Sequence, residues 1–229
     1  MGIPEEKDLP NQPNVQHPTE EPRVLVPSTD KGIKSIITVS WIDRKVENLQ
    51  VWAQGRLWYL YLPLAIWMGY IAIRTLQNAD YRSFIEGLNL GIHETGHLLF
   101  FWAGSDLMAA GGTITQLAAP LITIWQFSRQ KDYFAVAFAL SWLGTNLTGI
   151  ARYMADARQQ ILPMVSYAPG PASHDWAYLL SRMHILEQDT IIASVIRTCR
   201  NLILVVSALA GAYLVWEMFI QQFRKTGTP

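Results

Sequence analysis

The stretch LWYLYLPLAIWMGYIAI, Leu57 to Ile73, contains no charged residue and is bracketed by Arg56 and Arg74. A core helix of a soluble protein rarely needs more than about 14 consecutive apolar positions, whereas crossing the hydrocarbon layer of a bilayer takes about 20. Trp58, Tyr59 and Tyr61 crowd its first turn, where amphipathic rings favour headgroup depth. The stretch therefore reads as a transmembrane span.

The same pattern recurs along the chain. Leu107 to Ser128, Tyr133 to Ala151 and Asn201 to Trp216 are also free of charge. Phe84 to Gly104 is largely apolar, interrupted by Glu86, Asn89, His93, Glu94 and His97. Together these runs predict an all-α polytopic membrane protein, a bundle of about five transmembrane helices with an interfacial N-terminal helix.

Half of the 229 residues are apolar, yet the first fifty are mostly polar. Residues 1–32 carry six prolines among Glu, Gln, Asn and Asp, a composition that cannot bury itself and predicts a flexible tail. Residues 33–56 form an amphipathic interfacial segment, with Ile42, Val46, Leu49 and Ala53 at helical spacing and Trp41 and Trp52 at headgroup depth. Residues 57–158 make a four-span membrane core, residues 159–200 a proline-rich loop and amphipathic helices, and residues 201–229 the final span with a short tail. Within 159–200, Ser173 is positioned to cap a helix, and Trp176, Leu179, Leu180, Met183 and Leu186 line its apolar stripe.

Formal net charge is zero and the basic residues form no stripe, so nothing resembles a nucleic-acid footprint. Cys199 is the single cysteine and can form no intrachain disulfide. Glu5, Glu6 and Asp8 outweigh Lys7 where a signal peptide would be basic, so membrane insertion is expected to come from the spans themselves. With five spans, Arg44, Lys45, Arg56, Arg152, Arg158, Arg197 and Arg200 share one side, against Arg74, Arg82, Arg129, Lys131, Arg224 and Lys225. That slight excess leans toward a cytoplasmic N-terminus for this integral, multi-pass protein.

The chemistry concentrates in Gly91-Ile-His-Glu-Thr-Gly-His97. On a helix, His93 and His97 lie one turn apart on one face, so both imidazoles can bind one Zn²⁺ ion, with Glu94 beside it as general base for an attacking water. Three ionisable residues in five positions of a membrane segment are costly unless they share a metal, one another or a water-filled cavity. A catalytic zinc needs a third protein donor. Asp156 and the His174-Asp175 pair are the candidates, as direct ligands or, for the pair, as a partner that orients a ligating imidazole. Gly104-Ser105-Asp106, Gly111-Gly112 and Pro120 suggest an interrupted or re-entrant entry to the third span, and the Gly111-Gly112 pair could also let a substrate backbone approach the metal. Asn146 could donate to a developing oxyanion or bond between helices. Gly87, Gly91 and Thr95 make a small-residue face for a neighbouring helix.

These residues resemble the site-2 protease superfamily of intramembrane zinc metalloproteases, in a divergent subgroup. The resemblance lies in His93-Glu94-Thr95-Gly96-His97, in Gly112 to Ile122 with its Ala118-Ala119-Pro120-Leu121, and in Asn146-Leu147 through Tyr153-Met-Ala-Asp156-Ala-Arg158. It implies zinc on His93, His97 and Asp156, with Glu94 as general base. Ala155-Asp156-Ala157 stands where the superfamily usually has Leu-Asp-Gly, Ala119-Pro120 where it has Gly-Pro, and His174-Asp175-Trp176 has no counterpart in the common pattern. The implied function is a zinc-dependent endopeptidase that cuts a transmembrane protein or peptide within the lipid bilayer. The alternative is a non-catalytic, metalloprotease-like structural subunit packed among other subunits of a membrane complex.

Overall fold

The computed structural model describes residues 43–163 and 174–226, and every regular element among them is helical. The tail with His17, the start of the interfacial segment with Trp41, and most of the proline-rich loop with Ser173 lie outside the described residues. The helices are α1 (residues 43–53), α2 (Trp58–Gln77), α3 (Glu86–Phe100), α4 (Ser105–Arg129), α5 (Tyr133–Ala155), α6 (Asp175–Arg182) and α7 (Asp189–Thr226).

Four of them, α2, α4, α5 and α7, are long and apolar enough to cross a membrane. Of these, α2, α4 and α7 turn apolar side chains outward, among them Leu60, Ile66, Ile122, Leu202 and Leu209, as a bilayer solvent requires. The most enclosed is α5, with 56% of its span buried against 22% for α2, so α5 forms the centre of the bundle. Because lipid tails are as apolar as leucine, such helices associate through close packing over small residues. Gly144 on α5 receives the Leu204 side chain and Gly211 on α7 receives Met68. Around them, Ala65, Met68, Phe134, Ala137, Leu214 and Met218 form one buried cluster.

The contacts fix which ends lie together. At one end of the bundle Arg56 reaches Asp132, and the Trp58 ring packs edge-on against Phe219 at 5.4 Å. At the other end Arg200 donates to the Ala79 carbonyl, Arg158 pairs with Asp189, and Met154, Ala157, Ala177, Leu180 and Ala193 pack together. Both ends of α3 belong to this second end. Glu86 pairs with Arg152 in the last turn of α5. Beyond Phe100, a single 3-10 turn and Gly104, at φ 89°, lead directly into α4. There Asp106 is bonded to Tyr178 and Arg182 of α6.

Thus the expected span through Phe84 to Gly104 does not cross. With 15 residues, α3 is about 22 Å long, shorter than the roughly 30 Å hydrocarbon core. It enters and leaves at one end, giving four crossing helices in place of five. The side count of basic residues changes accordingly. Arg129, Lys131 and Arg224 lie at the end of Arg56, and Arg74 and Arg82 at the end of Arg152, Arg158, Arg197 and Arg200, so the basic residues are nearly balanced between the ends and select no orientation.

Two further expectations are revised. Of the breaks expected on entry to the third span, the one at Gly104 is present, at φ 89°, and the one at Gly111-Gly112 is absent, since α4 is continuous from Ser105 to Arg129 with Pro120 inside it. The close face of α3 is not Gly87, Gly91 and Thr95, because open space surrounds both glycines. Instead Gly96 meets the backbone of Gly111 and Gly112, and α4 crosses α3 there.

Candidate metal centre

That close crossing builds the site. His93 and His97 lie on the face of α3 that meets α4, their ring centroids 4.8 Å apart. Gly112 passes directly against them, and a Cβ there would lie 2.6 Å from His93 Nε2 and 2.7 Å from His97 Nε2. Only a residue without a side chain leaves this space open. From α4, Gln116 Oε1 lies 3.1 Å from His93 Nδ1, and the Met108 carbonyl lies 2.8 Å from His97 Nδ1.

A carboxylate from α6 joins the two imidazoles. Asp175 Oδ2 lies 3.1 Å from His93 Nε2 and 3.2 Å from His97 Nε2. Asp175 is buried at 7% exposure, as is His93 at 6%, while His97 and Glu94 are half-buried.

The hydrogen-bond partners set the tautomers. A carbonyl oxygen can only accept, so the Nδ1 of His97 must donate to Met108, and the Nδ1 of His93 likewise donates to Gln116 Oε1. In the neutral imidazoles both Nε2 atoms then carry lone pairs. Two nitrogen lone pairs and a carboxylate oxygen converge with no donor among them, so the cluster needs a cation, a proton or a metal ion. The spacing suits a metal. Zinc–nitrogen and zinc–oxygen bonds of 2.0–2.2 Å in a tetrahedron put neighbouring donors about 3.3 Å apart. Partners on the second ring nitrogen of each histidine are also what ligating imidazoles require. Glu94 lies close by, with a carboxylate oxygen within 4.8 Å of the histidine ligand atoms.

Asp156 and His174 do not enter this cluster. Asp156 ends α5, and its carboxylate accepts the Ile161 and Leu162 N–H groups at 3.0 and 3.1 Å. His174 precedes α6 and caps it in place of Ser173, with Nδ1 accepting the Ala177 N–H at 3.2 Å. Its proton is therefore on Nε2, which faces Asp156 Oδ2 at 3.5 Å. Burial lowers the basicity of this imidazole, against the opposing pull of Asp156 and Asp175. Asn146 donates to the Trp142 carbonyl on its own helix, and among the described residues no hydrogen bond joins it to the histidines.

No family model, curated protein or solved structure matches this chain.

Sequence reasoning did not single out Gln116, the Met108 carbonyl or Tyr153 as parts of the site. Gln116 had a signal: it is the one long polar side chain between Leu107 and Trp125. The Met108 carbonyl had none, because a backbone acceptor carries no side-chain signature. Tyr153 reads as a membrane-interface aromatic until its hydroxyl is seen against the Asp175 backbone N–H at 3.0 Å.

Proposed function

We propose that the protein is a zinc-dependent intramembrane endopeptidase, with His93, His97 and Asp175 holding the ion and Glu94 acting as general base. The observation that carries this reading is the convergence of His93 Nε2 and His97 Nε2 on Asp175 Oδ2 at 3.1 and 3.2 Å, while each Nδ1 already faces an acceptor oxygen. Zinc held there would supply the Lewis acidity that polarises a substrate carbonyl and makes water a nucleophile at neutral pH.

The remaining chemistry falls to the chain. Gln116 and the Met108 carbonyl keep both rings in the ligating tautomer. Glu94, half-buried beside the histidines, accepts the proton of the attacking water and delivers it to the departing amine. Four apolar helices long enough to cross a membrane, two of which, α4 and α5, pack on α3, favour a substrate that arrives within the bilayer. The outward face of α3 is uncovered at Gly87 and Gly91 and leads toward Glu94, which supports approach of an extended peptide from that side. The choice of a peptide bond over another acyl bond rests on the resemblance of His93-Glu94-Thr95-Gly96-His97 and its surroundings to intramembrane metalloproteases.

The test is metal analysis of the detergent-purified protein, paired with turnover of fluorogenic transmembrane peptides in liposomes. The parent protein should carry about one zinc and cleave, and Glu94→Gln should keep the zinc and lose cleavage by a factor of at least about 10². A parent that holds zinc yet gives the same peptide background as Glu94→Gln would favour the non-catalytic subunit instead.

A further inference from the structure

Asp175 is delivered to the histidines by a helix of only eight residues, and the groups that hold that helix by its first turn have no part in the proposed chemistry. We infer that Tyr153, His174 and Asp156 form a positioning unit that sets the Asp175 carboxylate against His93 and His97. The inference rests on the reading that Asp175 is the third metal donor.

The cap residue is the first argument. Helix N-caps favour Asn, Asp, Ser and Thr, whose short side chains reach back to the second or third N–H. Here the cap is a histidine, and its Nδ1 does that work. An imidazole has a second nitrogen pointing the opposite way, which a serine or asparagine oxygen lacks. In His174 that nitrogen faces Asp156 Oδ2 at 3.5 Å, within ion-pair reach, and makes no hydrogen bond among the described residues. One ring thus joins the start of α6 to the end of α5. Asp156 is itself anchored, since both of its oxygens accept backbone N–H groups of Ile161 and Leu162.

Tyr153 completes the unit. Its ring stacks on the His174 imidazole, with centroids 4.1 Å apart and planes 26° apart. Its hydroxyl accepts the Asp175 N–H at 3.0 Å and lies 3.4 Å from Asp175 Oδ2, toward which its own proton is directed. Asp175 is therefore held at both its backbone and its carboxylate by one side chain, and that side chain is pressed in place by His174. Asp156, His174 and Asp175 are 6%, 3% and 7% exposed. Burying two carboxylates and an imidazole is costly unless they are partnered; here both carboxylates accept hydrogen bonds and the imidazole accepts through Nδ1.

Zinc affinity of the full-length protein in detergent, by competition with a chromophoric chelator, tests this together with the absorption spectrum of the cobalt form. Thermal unfolding of each metal-free variant supplies the structural control. Asp175→Ala should nearly abolish binding. Tyr153→Phe keeps the stacked ring and removes only the hydroxyl; it and His174→Ala should each weaken zinc about 10- to 100-fold, and His174→Asn, which keeps a capping oxygen and an N–H for Asp156, should recover to within about threefold of the parent. The cobalt spectra of Tyr153→Phe and His174→Ala should shift, with metal-free unfolding midpoints near that of the parent. If Asp175→Ala abolishes binding while Tyr153→Phe and His174→Ala bind as the parent does, the positioning unit is overturned and the third-donor reading survives. If Asp175→Ala binds zinc as the parent does, both fall. Should His174→Ala fail to fold, Tyr153→Phe and His174→Asn carry the same decision.

Discussion

Gly112 lies so close to His93 that a Cβ on the glycine would stand 2.6 Å from both Nε2 and Cε1 of the imidazole. The glycine pair that reads in sequence as a break in a helix is, in the fold, the floor of the proposed metal centre.

Gly112→Ala should therefore act on the site. The new methyl can be accommodated only by moving α4 or both imidazoles, at about 1–3 kcal/mol, and zinc affinity should fall at least tenfold. Gly91→Ala supplies the contrast, because nothing lies within 4 Å of its Cβ position. In the helix interior it should be neutral or stabilising by roughly 0.5–1 kcal/mol. Equal effects of the two on zinc binding and unfolding would contradict the α3–α4 crossing.

The four-crossing topology is open to labelling. In a background with exposed Cys199 replaced by serine, single cysteines at Asp80 and at Trp102, which flank α3, should react with an impermeant maleimide from the same side of a sealed vesicle. Cysteines at Gln54 and Gln130 should react from the other side. Labelling of positions 80 and 102 from opposite sides would restore a fifth crossing.

Removing the metal should loosen α6 selectively. Without a cation, His93, His97 and Asp175 present lone pairs to one another, and the bond that draws α6 onto α3 weakens. Hydrogen exchange in residues 175–182 should rise on chelation at neutral pH, while the cluster around Met68 and Phe134 stays protected. Exchange in 175–182 that does not respond to chelation would mean that no metal ties α6 to α3.

Much of this was legible from the amino acids alone, for reasons that differ by element. The four crossing helices announce themselves because a charge-free run of that length has few uses outside a bilayer. The segment holding His93 looks long enough to cross when Phe84 and Gly104 are taken as its limits. Its helix is cut to 15 residues by the turn before Glu86 and by Gly104, whose φ of 89° ends the run. Gly104-Ser105-Asp106 signals the second of these breaks in the sequence, while the turn before Glu86 carries no comparable glycine or proline. The glycines on the helix faces are less legible. Their sequence spacing cannot tell whether a small face is covered, and here Gly87 and Gly91 are open while Gly96, Gly111 and Gly112 are pressed together. The donor set divides likewise. His93 and His97 are fixed by helical periodicity, but Asp175 is 82 residues from His93, and only the packing of α6 distinguishes it from Asp156.

The identity of that third donor is the point on which the metal centre stands, and X-ray absorption at the zinc edge tests it most directly. The parent protein should show nitrogen and oxygen neighbours only. Asp175→Cys should bring a single sulfur to about 2.3 Å from the zinc, and Asp156→Cys should leave the parent spectrum unchanged. Sulfur appearing in Asp156→Cys and not in Asp175→Cys would contradict the assignment and return the third position to the end of α5.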